Sequence, residues 1–316
     1  MLNTPSSMET SETRALLHTV AKLHYEGNLA QVQIARQLGL STATISRLLQ
    51  RARSEGIVRI EVRDPVAPDI LGSRLEMALG LRRVSVVEAP AGSTPVTLAA
   101  PLASILRSVS LGPGTVLALG WGRAIRAVVE AGLPPLPGVE VVPATGGMQQ
   151  EAQHFQINEF VRLAAAQTGG TPNFIHAPYL PSSDARPIFL SDPAIRHSVE
   201  LWDRIDVAVV GVGLPHALNP PEASVATPPE QRLVNAAGDV IRHYFDASGD
   251  PVRWEGEDRL IAASPDQLRR ARLTIAVAAG EAKAVSIIGA ARARLISALV
   301  TDARTAAAIA DRLGAV

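Results

Sequence analysis

The sequence contains no cysteine, no long apolar run and no net charge. Without cysteine, the chain can form neither disulfides nor zinc fingers, and thiol catalysis is excluded. Its seven histidines show no spacing typical of metal ligands, so we expect neither a metal nor a cofactor. No stretch reaches the roughly 18 apolar residues of a membrane helix, and the polar N-terminus lacks the apolar segment of a signal peptide. We therefore expect a cytoplasmic protein with no membrane partner.

Lysine is almost missing as well, because 28 of the 30 basic residues are arginines and only Lys22 and Lys283 remain. A lysine in such a chain indicates a position that arginine cannot replace. Lys283 falls in the first turn of a predicted helix, where the helix dipole disfavours a cation. An anionic ligand at that helix start would remove the conflict. The alternative is an exposed lysine that is there by chance.

The size and charge of the chain predict a small basic domain in front of a large one. The 316 residues, 47% of them hydrophobic, suffice for a large core and a second, smaller one. Residues 1–63 carry eight basic and five acidic residues, and five of their arginines lie between positions 36 and 59. The remainder has 22 basic and 25 acidic residues, so the N-terminal part is the basic one.

Three short helices are predicted in this N-terminal part, in "TRALLHTVAKLHYEGN", "AQVQIARQLG" and "LSTATISRLLQRARSEG". Gly39 is placed to end the second helix, and Ser41 is placed as N-cap of the third. Ile45, Leu48, Leu49 and Ala52 form a narrow apolar stripe on the third helix. Two helices joined by a tight glycine turn predict a helix-turn-helix, and "IVRIEVR" after it predicts a wing strand.

The third helix has the composition of a recognition helix, since everything off its apolar stripe is polar or basic. The alternative is an ordinary solvated helix face in a small bundle. The residues that we expect to contact double-stranded operator DNA are Gln31, Ser41, Thr42, Thr44, Ser46, Arg47, Gln50, Arg51 and Arg53.

Beyond a stiff linker at 64–68, continuous apolar strands alternate with amphipathic helices. "GTVLALG", "DVAVVGVG" and "LTIAVAAG" are typical of these strands. This alternation predicts a parallel sheet covered by helices on both faces, which makes residues 69–316 one large α/β, Rossmann-like domain. The expected architecture is therefore an all-α winged helix-turn-helix at 1–63 followed by this domain.

"EGNLAQVQIARQLGLSTATISRLLQRARSEGIVRIEV" resembles the DNA-binding domain of the SorC/DeoR-type bacterial sugar-responsive transcriptional regulators. The resemblance continues in order through "LALGWGRAI", "VPATGGM", "DVAVVGVG", "GDVIRHYFDASG" and "AVAAGEAKAVSIIGAARARLISALVTD". It implies a second domain similar in fold to sugar-phosphate isomerases and deaminases, and a homodimer or homotetramer. One departure is Ala30, which stands where the family usually has a serine or threonine N-cap.

The candidate effector-site residues follow strands, because ligands of doubly wound sheets bind beyond the carboxyl ends of the strands. Each has an ordinary alternative: a tight turn for the glycines, a turn former for Asp246 and a surface ion pair for Arg162. In the resemblance, the glycine loop and Asp246 correspond to effector contacts, and so does Lys283. The full set is Gly120, Trp121, Gly122, Arg123, Thr145, Gly146, Gly147, Glu159, Arg162, Asp246 and Lys283.

Two functions fit such a large domain. The first is control of transcription from a carbohydrate-catabolism operon by a sugar, polyol or sugar-phosphate effector that acts allosterically. The second is an isomerase-like or deaminase-like enzyme that carries a DNA-binding module. Fold alone does not separate them. A metabolic enzyme does not need the helix-turn-helix, and the sequence offers few acid/base candidates beyond Asp246 and Lys283, so we expect a regulator rather than an enzyme.

Overall fold

The computed structural model shows a chain that divides into two compact units, Met1–Pro65 and Val66–Val316. In the described part of the chain, no helix is both long and apolar enough to cross a bilayer. The described residues are 7–58, 68–89, 95–148, 156–215 and 226–314.

The first unit contains the three predicted helices, α1 (Ser7–Tyr25), α2 (Gln31–Leu38) and α3 (Thr42–Ser54). α2 ends at Gly39, whose φ of 64° is in the left-handed region that favours glycine. The chain can therefore turn within three residues and begin α3. Apolar side chains from all three helices form one core, made of Val20, Ile34, Ala35, Ile45 and Leu49.

Only the start of the predicted wing, Ile57 and Val58, lies among the described residues. The backbone N–H of Val58 donates to the carbonyl oxygen of Ala52 at 3.1 Å, which holds the chain against the end of α3. The rest of the wing and positions 64–67 of the linker lie outside the described residues. Pro68, which we assigned to the linker, is instead the first residue of a helix, a position that proline favours.

The second unit is built on a seven-stranded, entirely parallel sheet, and each of the three apolar runs quoted above forms one of its strands. The strand order is β1-β9-β8-β5-β2-β3-β4. A separate hairpin consists of β6 and β7. The strands are β1 (Arg83–Val87), β2 (Val116–Leu119), β3 (Glu140–Pro143), β4 (Thr171–Pro172), β5 (Val207–Val210), β6 (Gly238–Val240), β7 (His243–Phe245), β8 (Leu273–Val277) and β9 (Ala298–Asp302).

Both faces of the sheet are buried. Val116 and Ala118 belong to one core cluster, whereas Leu117 and Leu119 of the same strand belong to another. Side chains alternate between faces along a strand, so continuous apolar runs are the expected sequence of such strands. The helices of this unit are α4 (Pro68–Leu79), α5 (Ala99–Ser108), α6 (Arg123–Ala131), α7 (Ile157–Thr168), α8 (Ala185–Ser191), α9 (Pro193–Glu200), α10 (Pro228–Gln231), α11 (Pro265–Arg270), α12 (Ala284–Arg292) and α13 (Ala303–Leu313).

The strand order reverses at the centre of the sheet. From β2 the chain proceeds through β3 to β4 at one edge, whereas from β5 it proceeds through β8 and β9 toward the other. The reversal lies between β2 and β5, which pair in parallel with Leu117 opposite Val207. At such a point the loops that leave adjacent strands diverge, which opens a crevice at the carboxyl ends. The residues that follow β2 and β5 therefore lie where ligands of such sheets bind.

The hairpin of β6 and β7 was not predicted as a hairpin. Its strands pair antiparallel, with Asp239 opposite Tyr244 and Val240 opposite His243. Its two-residue turn, Ile241 and Arg242, has positive φ at both positions (43° and 69°). The β6 strand also contacts α12. The hairpin thus brings residues 239–242 to the carboxyl end of the sheet.

Candidate functional sites

The N-terminus of α3 is capped as predicted. The hydroxyl oxygen of Ser41 accepts a hydrogen bond from the backbone N–H of Thr44 at 3.1 Å. The two hydroxyl oxygens of Ser41 and Thr44 also lie 2.8 Å apart and share a hydrogen bond. Both side chains therefore stabilise the helix start, and each has only part of its hydrogen-bonding capacity left for DNA.

The outer face of α3 presents polar groups, while Ile45, Leu49 and Ala52 are buried and Leu48 is half-buried. Arg51 is paired with Glu55, so its charge is partly balanced within the helix. The candidate residues that remain exposed on this helix without an ion pair among the described residues are Thr42, Ser46, Arg47, Gln50 and Arg53.

The start of α2 is only half capped. The backbone N–H of Ala30 donates to Oε1 of Gln33 at 2.9 Å, but alanine has no oxygen to accept a bond in return. This is the missing acceptor that the sequence indicates. Gln31 is the half-buried first residue of the helix.

The loop after β2 combines buried and exposed groups at the strand-order reversal. The N–H of Gly120 donates to the carbonyl oxygen of Val209 at 2.8 Å, which extends the pairing of β2 with β5. Trp121 is buried, and Gly122 has a φ of 118° that a side chain would disfavour. Gly122 is also the N-cap of α6, so no side chain caps this helix, and the exposed Arg123 is its first residue.

Lys283 reaches the same crevice from the other side. It is the N-cap of α12, at the end of a 3₁₀ turn, rather than a residue of the first α-helical turn. Its ammonium donates to the carbonyl oxygen of Val212, just after β5, at 2.8 Å. The pKa of Lys283 is lowered to about 8, mainly by burial and in part by the positive charge of Arg123, while the carboxylate of Asp239 opposes the shift. The two cations are thus close enough to repel each other.

Asp239, which we did not predict as a site residue, supplies the carboxylate of this region. Its backbone carbonyl accepts from the N–H of Gly213 at 2.9 Å, and its Oδ2 accepts from the N–H of Arg242 at 3.0 Å. A Cβ on Gly213 would overlap its Oδ1. The sequence signal was present in "GDV", where an acid stands inside an otherwise apolar strand.

The loop Thr145–Gly147 does not offer the phosphate donors that its glycines suggest. The N–H groups of Gly146 and Gly147 donate to the carbonyl oxygens of Ile261 and Ala177, both at 2.8 Å. The buried hydroxyl of Thr145 donates to Ile261 at 3.3 Å. A Cβ on Gly146 would stand 2.7 Å from a backbone oxygen. The two N–H donors are thus occupied and Gly146 is required by close backbone packing, which corrects our prediction of a cradle.

Asp246 forms a turn rather than facing Lys283. Its Oδ1 accepts from the N–H groups of Ser248 and Asp250, at 2.8 and 3.0 Å. Its backbone oxygen lies near Gly289, in the middle of α12, whereas Lys283 stands at the start of that helix. The alternative that the sequence left open, a turn former, therefore describes the contacts of Asp246.

Arg162 and Glu159 form an ion pair on the exposed face of α7, with two hydrogen bonds of 2.6 and 2.8 Å. The pair lowers the pKa of Glu159 and raises that of Arg162, because each charge stabilises the other. The charge of Arg162 is balanced by its neighbour. The prediction that both residues contact an effector is not supported by this geometry.

The crevice between β2 and β5 therefore collects Arg123 and Lys283 as cations and Asp239 as a hydrogen-bond acceptor, beside the uncapped start of α6. Two cations and a helix N-terminus favour an anionic group. A carboxylate favours hydroxyl donors. A molecule with a phosphate at one end and hydroxyl groups at the other matches this arrangement.

Two family models match the chain. Residues 65–310 match the model described as "Putative sugar-binding domain". Residues 14–59 match a model for winged helix-turn-helix DNA-binding. Together they cover both structural units.

Known proteins are similar over nearly the whole chain. The sorbitol operon regulator of Klebsiella pneumoniae is 31% identical over 95% of this chain and 98% of its own. The deoxyribonucleoside regulator of Bacillus subtilis (strain 168) is 30% identical, over 96% of this chain and 99% of its own length. The crystal structure of the full-length sorbitol operon regulator SorC from Klebsiella pneumoniae has a TM-score of 0.70 at 29% identity, over 93% of this chain and 98% of that one. The crystal structure of a probable sor operon regulator from Shigella flexneri has a TM-score of 0.69 at 27% identity, over 77% of this chain and 99% of that one.

Proposed function

Because the chain belongs to the SorC/DeoR-type family of sugar-responsive transcriptional regulators, we propose that its effector binds in the crevice between β2 and β5. Binding there changes the affinity of the helix-turn-helix for operator DNA. The observation that carries the proposal is the position of Lys283, whose ammonium donates to the carbonyl oxygen of Val212 where the strand order reverses, one residue before the contact of Gly213 with Asp239.

In this crevice, cationic and anionic residues bind different groups of the effector. Arg123, Lys283 and the first N–H groups of α6 bind the anionic group of a sugar phosphate. Asp239 accepts hydrogen bonds from hydroxyl groups of the same molecule. A free sugar or polyol would use the hydroxyl contacts alone, so we expect phosphorylated molecules to bind more tightly.

The DNA contacts come from the exposed face of α3. Ser46, Arg47 and Gln50 face base edges in the major groove, and Thr42 and Arg53 contact phosphates. One helix-turn-helix reads one half-site, so specific binding needs at least a dimer. We propose a homodimer or homotetramer that acts in the cytoplasm, and light scattering at micromolar concentration tests it, since a monomer with and without operator would contradict it.

The same fold serves enzymes, so the absence of catalysis is part of the proposal. It is supported by the relatives, which are named as regulators. The competing function is an isomerase-like or deaminase-like enzyme. It predicts that a bound sugar phosphate is converted to a product, whereas a regulator returns it unchanged after overnight incubation.

A thermal-shift screen followed by operator binding tests the proposal. The names of the relatives direct the first panel to sorbitol, other polyols and deoxyribonucleosides, each free and phosphorylated. A molecule present at 100 times its Kd adds about 2.7 kcal/mol to the free energy of unfolding. The molecule that stabilises the protein should then change operator affinity in fluorescence anisotropy. If no member of a broad panel does both, the proposed function is wrong.

A further inference from the structure

Aromatic side chains surround the guanidinium of Arg242, although aromatic residues make up only 3% of the chain. The guanidinium carbon lies 5.6 Å from the ring centre of Trp121 and 5.5 Å from that of Tyr179. Its Nη1 donates to the hydroxyl oxygen of Tyr244 at 3.1 Å, and Trp254 packs edge-on against Tyr244. Four of the six tryptophans and tyrosines of the chain thus belong to this cluster. It includes Trp121 of the candidate effector loop.

The charge of Arg242 is balanced inside the cluster by Glu230, which is fully buried. Nη1 of Arg242 lies 3.5 Å from Oε1 of Glu230. Tyr244 donates to the same oxygen at 2.9 Å, and the N–H of Thr227 donates to Oε2 at 2.7 Å. Burial raises the pKa of Tyr179 to about 12, so its hydroxyl stays protonated and also donates to Oε2. Both oxygens of Glu230 therefore accept hydrogen bonds, and removing one partner of such a buried ion pair would leave the other charge uncompensated.

The backbone at this point adopts a conformation that its side chains disfavour. Ile241 and Arg242 both have positive φ, as in the tight turns that normally use asparagine or glycine. Ile241 is β-branched, for which positive φ is particularly unfavourable. Such conformations persist only where surrounding contacts impose them. The side-chain contacts of Arg242 described above are of this kind, and the side chain of Ile241 is buried as well.

The turn also determines where the carboxylate of Asp239 lies. The N–H of Arg242 points back into the hairpin and donates to Oδ2 of Asp239 at 3.0 Å. The same carboxylate acts on the charge of Lys283. We propose that Arg242 is a positioning residue. Its anchored side chain holds residues 241 and 242 in the left-handed conformation, and this conformation fixes the carboxylate of Asp239 beside Lys283.

This proposal deepens the proposed function and rests on it for the role of Asp239 as an effector contact. The position of Asp239 beside Lys283, however, is a property of the protein without effector. It can therefore be tested by the titration of Lys283, because a carboxylate that moves away from an ammonium lets its pKa fall.

The experiment compares alanine with glycine at position 242. Glu230→Gln accompanies each, so that no buried carboxylate is left unpaired. Both double variants, Arg242→Ala/Glu230→Gln and Arg242→Gly/Glu230→Gln, lack the guanidinium and differ only by one Cβ. Glycine adopts positive φ without an anchor, whereas alanine does not. We expect the turn to be retained with glycine and lost with alanine.

The measurement uses the scarcity of lysine. Dimethylation with ¹³C labels the two lysines and the α-amine, and the Lys283→Arg variant assigns the Lys283 signal in NMR spectra. We expect the pKa of Lys283 to fall by about one unit in the alanine double variant and to stay near its original value in the glycine one. Equal pKa values in the two double variants would overturn the proposal, because a purely electrostatic or space-filling role does not distinguish alanine from glycine.

If the alanine double variant does not fold, Glu230→Gln alone carries the prediction. It keeps Arg242 but removes the charge that anchors it, so the pKa of Lys283 should again fall, and an unchanged value would overturn the proposal. Failure of the proposed function is separate. A ligand screen without any response refutes the effector site while leaving this titration as it is.

Discussion

Oδ1 of Asp239 lies so close to Gly213 that a Cβ atom on residue 213 would overlap it. The backbone groups of the two residues also bond to each other, since the N–H of Gly213 donates to the carbonyl oxygen of Asp239 at 2.9 Å. Residue 213 must therefore lack a side chain for the carboxylate to stay where it is. The loop after β5 and the hairpin strand β6 are locked together at this contact.

Gly213→Ala should displace the carboxylate of Asp239 and weaken the response of operator binding to effector at least tenfold. The forced contact should also cost about 1 to 3 kcal/mol of stability. Gly147→Ala is the matched control, because a Cβ there meets only one atom, at an ordinary 3.9 Å. Denaturant unfolding and anisotropy titrations measure both effects. An unchanged effector response in Gly213→Ala would contradict the position assigned to Asp239.

Lys283→Arg should weaken effector binding strongly although it keeps the positive charge. The wider, planar guanidinium does not fit where the ammonium donates to Val212, and it stands next to Arg123. Lys22→Arg is the control, since it makes the same change on an exposed helix face. Calorimetry should show at least a tenfold loss of affinity, about 1.4 kcal/mol, with operator affinity retained. Equal behaviour of the two variants would show that Lys283 is incidental.

Effector affinity should depend on pH through Lys283. With a pKa of about 8, instead of the ordinary 10.5, the ammonium is lost as the pH rises above 8. An anionic effector should then bind up to tenfold more weakly for each further pH unit. Without effector the sign is opposite: the unfolded chain binds more protons between about pH 8 and 10.5, so this group makes the free energy of unfolding rise with pH there. Constant affinity from pH 7 to 9.5 would exclude the ammonium as a contact.

Two arginines of α3 should affect DNA binding differently. Arg47→Ala should cost about 1 to 3 kcal/mol and relax specificity at one operator position, because a base contact is lost. Arg53→Ala should weaken binding to all sequences alike and reduce its salt dependence. Competition with single-base operator variants at two salt concentrations distinguishes these effects. If neither substitution alters binding, α3 does not lie in the groove as we propose.

Asp239 and Asp246 should behave differently when each is replaced by asparagine. Asp239→Asn removes the charge beside Lys283 and should abolish most of the effector response. Asp246→Asn keeps an oxygen that can accept from Ser248 and Asp250, so turn and response should both survive. Calorimetric titration of both variants with the same sugar phosphate decides the matter. A larger loss in Asp246→Asn would restore the role that the sequence first suggested.

The sequence predicts the framework well because its signals are local and redundant. The strands around Leu117, Val209 and Ile275 are buried on both faces of the sheet. A continuous apolar run in the sequence predicts such a strand. Gly39 and Ser41 end one helix and begin the next by their own backbone and side-chain chemistry. These features do not depend on distant parts of the chain.

The site was predicted only in part, because its missing members depend on a turn without a turn signal. Ile241 and Arg242 occupy positions where asparagine and glycine would have indicated a hairpin. Without the hairpin, the sequence gives no reason to place Asp239 at the site, and Asp246 was predicted there because of the family resemblance. The glycines at 146 and 147 suggested an anion cradle, but their carbonyl partners, Ile261 and Ala177, are remote in sequence. Only the folded chain shows that those donors are occupied.

Because lysine is nearly absent, the protein has very few amines that can react with a chemical reagent. An amine with a pKa of about 8 is half unprotonated at pH 8, and the unprotonated form is the nucleophile. Lys22 and the α-amine are the only other primary amines of the unmodified chain. A small acylating reagent at that pH therefore has three places to react, and a bound effector would shield one of them. Mass spectrometry of the acylated peptide around residue 283 would then report how much of the crevice is occupied, without a labelled ligand.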